Sequence, residues 1–209
     1  MKREEVCEAE EYLLKRYTII VCTKMYDNTY QDILRRMRTD MTDLDLERYG
    51  FTPDDIMKYS ELADVNSIYD ILPHDRSSKI LLVESEYSKG HWVALLRYDN
   101  TIEMMDSYGI HPDEELSFVS NLQKTLLGQD KKYLTHLLKK LPKAVNKVYN
   151  KKKLQKIVNG SATCGRYVVL RIVLMRDFGL NLKEFQDFLS HWTAHTDLSS
   201  DELVSAMVI

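Results

Sequence analysis

The segment GHWVALLRYDNTIEMMDSYG, residues 90 to 109, constrains the fold of this chain more than any other. HWVALLRY and IEMMD are apolar runs of strand character, separated by the polar turn Asp99-Asn100-Thr101, a pattern that predicts a β-hairpin. A hairpin brings residues near its two open ends side by side. His91, at the entrance of the first strand, and Asp106, 15 residues later at the exit of the second, can therefore meet across the pair. Cys164 follows 58 residues after Asp106, just ahead of the apolar stretch Tyr167 to Phe178, which is long enough for a helix and is punctuated by Gly179. This places the sulfur at a helix N-terminus.

That trio has a chemical reading. A nucleophilic thiol needs a base within hydrogen-bond reach, and the base needs a third group that fixes its tautomer. His91, Asp106 and Cys164 supply all three. The partial positive charge of a helix N-terminus and a nearby imidazolium both favour thiolate over thiol. Gly165 would let backbone approach a substrate closely. Taken singly, each residue has a plainer explanation: a hydrogen-bonded structural His beside Trp92, a strand-end Asp before Ser107-Tyr108-Gly109, a buried small Cys. The plain account requires three coincidences in one order.

GHWVALLR, MMDSYG and TCGRYVVLRI together resemble the adenovirus-protease and ubiquitin-like-protease clan of cysteine proteases. In that clan His-Trp opens a strand, an Asp, Asn or Glu follows on the next strand, and a Gln precedes a Cys-Gly at a helix start. The order His, acid, Cys separates it from papain-like enzymes, whose Cys comes first. Within the clan the motifs look most like the capsid-maturation proteases of large DNA viruses, virophages and related integrating elements. The likeness covers residues 50 to 190. It implies an α+β, adenain-like fold, a central mixed β-sheet flanked by helices with the nucleophile at a helix N-terminus. It also implies cleavage of virion precursor proteins after small residues such as Gly. Removal of a ubiquitin-like modifier from a Gly-Gly tail, or a catalytically silent module that binds virion protein or DNA, are the alternatives.

The resemblance also asks for an oxyanion donor ahead of the Cys. The clan usually places this Gln somewhat nearer the Cys than Gln155, which is nine residues ahead, while Asn159 is five ahead. Gln155 is favoured if Asn159-Gly160-Ser161 bulges as a loop; otherwise Asn159 is the donor. Such a donor is worth about 10²–10³ in rate. Trp92 is expected to wall the substrate site beside His91, or to fill core.

The remaining chemistry is sparse. His191 and His195 are four apart and could share a helix face, but no Cys or acidic residue completes metal-ligand spacing, so neither a metal nor a cofactor is expected. Cys7, Cys22 and Cys164 form an odd set with no pairing pattern, which suits a reducing compartment and a free thiol; a Cys7–Cys22 disulfide is not expected. The start, MKREEVCEAEEYLLKR, is charged and amphipathic rather than a signal peptide, and there is no 18-residue apolar run. A non-secreted monomer with no membrane partner fits both, and the resemblance implies action in the virion and the host-cell cytoplasm.

At 209 residues and 44% apolar, the chain can bury one full core, giving a single domain over 1–209 with residues 1–50 as an extension packed on it. Helices are expected at 4 to 17, 30 to 37, 52 to 59, 114 to 127, 131 to 141 and 182 to 192, with strands at 18 to 23 and 80 to 83. The segments YSEL, 59 to 62, and IYDIL, 68 to 72, are expected to shape the substrate cleft. Charge is uneven: net charge is −3, yet Lys131 to Lys156 holds ten Lys and no Asp or Glu. That segment is a solvated face or an electrostatic footprint for DNA.

Overall fold

A computed structural model describes residues 29–156 and 161–209. The expected helix at 4 to 17, the strand at 18 to 23, Cys7, Cys22 and Asn159 lie outside the described residues.

Two long strands carry the centre. β2 (Ser78–Glu86) and β3 (Lys89–Tyr98) are antiparallel, with Leu82 opposite Trp92 and Val83 opposite His91. Their centres, residues 80–83 and 92–96, are continuous apolar runs, the pattern of strands covered on both faces. β3 turns through Asp99 and Asn100 into β4 (Thr101–Met105), Tyr98 facing Thr101 and Ala94 facing Met105. The hairpin is thus the one expected, with Thr101 already in the strand. β1 (Ile56–Lys58) and β5 (Asn146–Tyr149) join the two outer sides in parallel, giving a five-stranded mixed sheet in the order β1-β2-β3-β4-β5.

Alternation along these strands separates two cores. On one face Ile80, Leu82, Trp92, Ala94, Leu96 and Met105 pack against α6 (Cys164–Phe178), which is covered from behind by α7 (Leu182–Thr196) and α8 (Ser200–Met207). Because α6 lies between sheet and helices, it is buried around most of its circumference, including Arg166 and Arg171. Gly179 ends it in the left-handed conformation, φ 74°, where a glycine carries no Cβ penalty. On the other face Leu81, Val83, Val93, Leu95, Ile102 and Met104 meet Tyr59, Leu62, α3 (Ile68–Ile71) and α5 (Tyr133–Lys140). The α+β class, a mixed sheet flanked by helices, is therefore as expected.

Several local expectations give way to tertiary context. Residues 52 to 59 do not form one helix: Pro53–Asp55 is a 3₁₀ turn, and Ile56–Lys58 pairs with β2 because the open edge of that strand offers unpaired backbone groups. The 114 to 127 segment breaks at Val119-Ser120 into a 3₁₀ turn, Glu115–Phe118, and α4 (Asn121–Leu126), with Ser120 capping the latter through Gln123. The lysine-rich segment contains β5, which the charge pattern conceals. Beyond 182 to 192 the chain continues to Thr196 and adds α8, announced by the capping box Ser199…Glu202. Tyr59, Leu62, Ile68 and Leu72 are buried in the second core instead of lining a cleft.

Residues 30–50 pack on the rest of the chain. α1 (Tyr30–Met37) lies along α8, where Tyr30 Oη donates to Glu202 at 2.6 Å. Leu46 of α2 (Asp43–Glu47) and Met41 enter the first core.

Candidate active site

Cys164 is the first residue of α6, a 15-residue helix whose axis runs beneath the sheet. Thr163 stands at the capping position, but its hydroxyl is spent elsewhere, donating to Asp201 Oδ1 at 2.6 Å. The first-turn N–H groups of α6 consequently have no side-chain cap, and the N–H of Gly165 faces the Cys164 sulfur together with the N–H of Trp92. The helix start is held against β3 at short range. A Cβ on Gly165 would lie 3.0 Å from Met41 Cβ and 3.3 Å from Trp92 Cδ1. Gly165 thus lets the helix start sit close against Met41 and Trp92.

His91 sits near the start of β3, where the preceding Gly90 is also obligatory, because a Cβ there would collide with the Val83 carbonyl. The imidazole Nε2 is 3.3 Å from Asp106 Oδ2, at ion-pair distance but without hydrogen-bond alignment. Long bonds of this kind are common in unliganded catalytic sites and tighten when substrate binds. With Nε2 turned to Asp106, Nδ1 is the nitrogen left for the thiol. Nδ1, like Nε2, is buried without an aligned partner. Burial works against the imidazolium, but the neighbouring Asp106 and Cys164, as acceptors and through their negative charge, outweigh it and raise the His91 pKa to about 10. Reciprocally, burial would raise the Cys164 thiol, yet hydrogen bonding and charge from His91 and the N–H groups of Trp92 and Gly165 bring it below its ordinary value. Both shifts favour a thiolate–imidazolium pair.

Asp106 lies one residue past β4 and is fully buried. Its Oδ1 accepts from the Tyr108 N–H, and its carbonyl accepts from Asn150 Nδ2. Asn150 in turn binds the carbonyl and N–H of Lys152 and the amide of Gln186, so it ties the end of β4 to the chain after β5 and to α7. Tyr108 stacks on the His91 ring with centroids 4.3 Å apart and planes 11° from parallel. Burial, then the negative charge of Cys164 and Asp106, raises its phenol to about 12. Sequence reasoning passed over Tyr108 and Asn150. The only signal for Tyr108 is its place two residues after the acid in DSYG; Asn150 has none, because it acts through backbone atoms distant in sequence.

Gln155 is also buried, at 1% exposure. Ser107 Oγ donates to its Oε1 at 2.7 Å, and the Ser107 carbonyl accepts from the N–H groups of Leu154 and Gln155. With the oxygen engaged, the amide Nε2 is the free end; its partner is Ser161 Oγ at a long 3.5 Å. Asp201 ties Lys156 to Thr163, accepting from the Lys156 N–H at 3.0 Å and from Thr163 Oγ1.

Trp92 is both core and wall. Its indole Nε1 donates to the Met41 carbonyl at 3.1 Å, and its ring joins Asp40, Met41, Thr42, Leu44, Gly90 and Cys164 around a cleft of about 710 Å³. Arg166 donates to the Thr39 carbonyl at 2.8 Å, next to the 40 to 44 segment. The cleft is therefore shaped by residues 40 to 44 and the β2–β3 turn, instead of 59 to 72. His191 and His195 stack on one face of α7, 4.1 Å between centroids, and among the described residues no group of His, Cys, Asp and Glu could hold a metal ion.

These features define a class: an α+β protein with a cysteine at a helix N-terminus, a histidine and a carboxylate gathered in one buried cluster. No profile of a known protein family matches the chain. It is 34% identical over 157 residues, 74% of its own length and 86% of the other's, to the uncharacterized protein V9 of Sputnik virophage, and it belongs to the family of that virophage protein. Among solved structures, the ASFV pS273R protease aligns over 83% of this chain and 70% of its own, with 13% identity and a TM-score of 0.44.

Proposed function

We propose that the chain is a cysteine endopeptidase of the adenovirus-protease and ubiquitin-like-protease clan, and that it cleaves virion precursor polypeptides. The observation that carries this reading is His91, placed between Cys164 and Asp106 with its imidazole made more basic and the thiol more acidic. In this reading the Cys164 thiolate attacks the scissile carbonyl carbon. The carbonyl oxygen takes the negative charge and receives the Cys164 N–H and Gln155 Nε2 as donors. Collapse breaks the C–N bond, and the His91 imidazolium gives its proton to the leaving amine. Water, deprotonated by His91, then attacks the thioester and releases the thiolate. Asp106 keeps Nε2 occupied so that Nδ1 faces the sulfur throughout. The virophage relative supports a viral substrate, with action in the virion and host-cell cytoplasm.

The rate of Cys164 alkylation by a small haloacetamide against pH tests this without a known substrate. The expected apparent pKa lies below about 8.5, the value for a free thiol, and rises in His91→Ala. Turnover of any peptide substrate should climb as the thiolate forms and decline as pH passes about 10, where His91 loses its proton. An ordinary thiol, indifferent to His91, would leave a binding module as the better account.

A second observation favours DNA as a partner. Nine of the ten lysines between Lys131 and Lys156 are exposed, and among the described residues none of the ten forms an ion pair. Lys147, Lys151 and Lys152 line one groove of about 970 Å³ along β5 with Lys183. Duplex binding here should weaken steeply with salt, and exchanging Lys147, Lys151 and Lys152 for Glu should reduce the slope of log affinity against log salt by about 0.9 per lost phosphate contact. Salt-independent or absent binding, measured by fluorescence anisotropy, would remove this partner.

A further inference from the structure

One buried acid in this site has no place in the chemistry above. Glu115 opens the 3₁₀ turn that follows the DSYG bend and is only 3% exposed. Its Oε1 has no hydrogen-bond partner. Asp106 Oδ2, the oxygen turned toward His91, is likewise buried without an aligned donor. The two carboxyl groups are nevertheless within hydrogen-bonding reach of each other. Two ionised carboxylates cannot share such a space, since each leaves one buried oxygen without a donor and they repel. A single proton resolves both problems, because a protonated carboxyl is a donor as well as an acceptor.

Resting on the protease reading of the same cluster, we infer that Glu115 is a positioning residue that stays protonated and donates its carboxyl hydrogen to Asp106. The proton resides on Glu115 because Asp106 has His91 at 3.3 Å and the Tyr108 N–H to stabilise its charge, whereas Glu115 has its own backbone N–H and a weaker influence of His91, which burial outweighs. Burial first, then the charge of Asp106, keeps the Glu115 carboxyl neutral up to about 9, with His91 opposing. The other charged groups around it are accounted for. β2, which packs on this turn, contributes Glu84, and that carboxylate is bound by Lys58 Nζ at 3.0 Å and by the Ser88 N–H. The Tyr108 phenol is neutral in the same range. The cluster then reads Glu115, Asp106, His91, Cys164, with one neutral acid anchoring the carboxylate that orients the base.

The test compares wild type with Glu115→Gln and Glu115→Leu. Gln keeps a donor to Asp106 but cannot ionise; Leu keeps neither. An ionisable group with a folded-state pKa raised from 4.5 to about 9 destabilises the fold progressively as pH climbs through that window. The unfolding midpoint of the Gln variant should therefore pull ahead of wild type between pH 5 and 9. The wild-type infrared spectrum at neutral pH should contain a protonated-carboxyl C=O band that the Gln variant lacks. Haloacetamide reactivity of Cys164 at neutral pH should remain within about threefold in the Gln variant and fall about tenfold in the Leu variant, one pKa unit of thiolate population. A pH-independent difference in midpoint, together with no protonated-carboxyl band, would overturn the inference while leaving an activated Cys164 intact. An unactivated Cys164 in wild type would instead count against the protease reading, and the band and midpoint would still report on Glu115.

Discussion

Replacing His91 with Ala is expected to lower peptide turnover by about 10⁴, and replacing Cys164 with Ala to abolish it. The magnitudes follow from the roles. Without the imidazole the thiol loses the charge that depresses its pKa and the leaving amine loses its proton donor. Asp106→Ala should keep measurable activity, because the stacked Tyr108 ring still restrains the imidazole plane while the tautomer is released. Since the residues act as a unit, the His91→Ala/Cys164→Ala pair should be no worse than Cys164→Ala alone. Assay against a virion-precursor peptide library, with circular dichroism to verify folding, decides the matter. Near-wild-type turnover in all three single variants would end the protease reading.

The largest stability effect is expected far from the thiol. Arg171 and Glu103 are both fully buried, and Arg171 Nε and Nη2 grip the Glu103 carboxylate at 2.7 and 2.6 Å. The remaining groups are satisfied: Arg171 Nη1 donates to the Leu180 carbonyl at 2.9 Å and Tyr98 Oη donates to Glu103 at 2.6 Å. The network fastens α6, whose first residue is Cys164, to β4, whose end leads to Asp106. Glu103→Leu leaves a guanidinium stranded in the core and should cost about 3–5 kcal/mol in chemical denaturation. Exchanging both partners, Glu103→Leu with Arg171→Met, should recover most of that loss, because the desolvation of the charges is removed with them. A single variant within 1 kcal/mol of wild type, a level reserved for exposed pairs, would contradict it.

The hairpin and the nucleophile helix were legible because their signals are local. β3 and β4 are set by two apolar runs and a two-residue turn, and α6 by an apolar stretch ending in Gly179. The sequence of β1 resembles part of a helix, since Pro53-Asp54-Asp55 begins like one; the deciding contribution is the open edge of β2, which the sequence does not display locally. β5 escaped notice for the same reason, as Asn146–Tyr149 gains its partners only from β4. The stretch from Glu114 fits a helix pattern, but it breaks where Val119 is extended and Ser120 caps a new helix through Gln123.

By itself, then, the sequence determined the order of His91, Asp106 and Cys164, the strand pairing that brings His91 toward Asp106, and the helix that starts at Cys164. Each depends on residues within one or two elements, where periodicity and turn chemistry act over short range. Only the tertiary structure decided that Tyr108 covers His91, that Ser107 binds Gln155 and Asp201 ties Lys156 to Thr163, that Met41 and Trp92 close on Gly165, and that Glu115 shares the cavity of Asp106. Those contacts join segments far apart in the chain, and their energies arise from desolvation, which exists only once the core has closed around them.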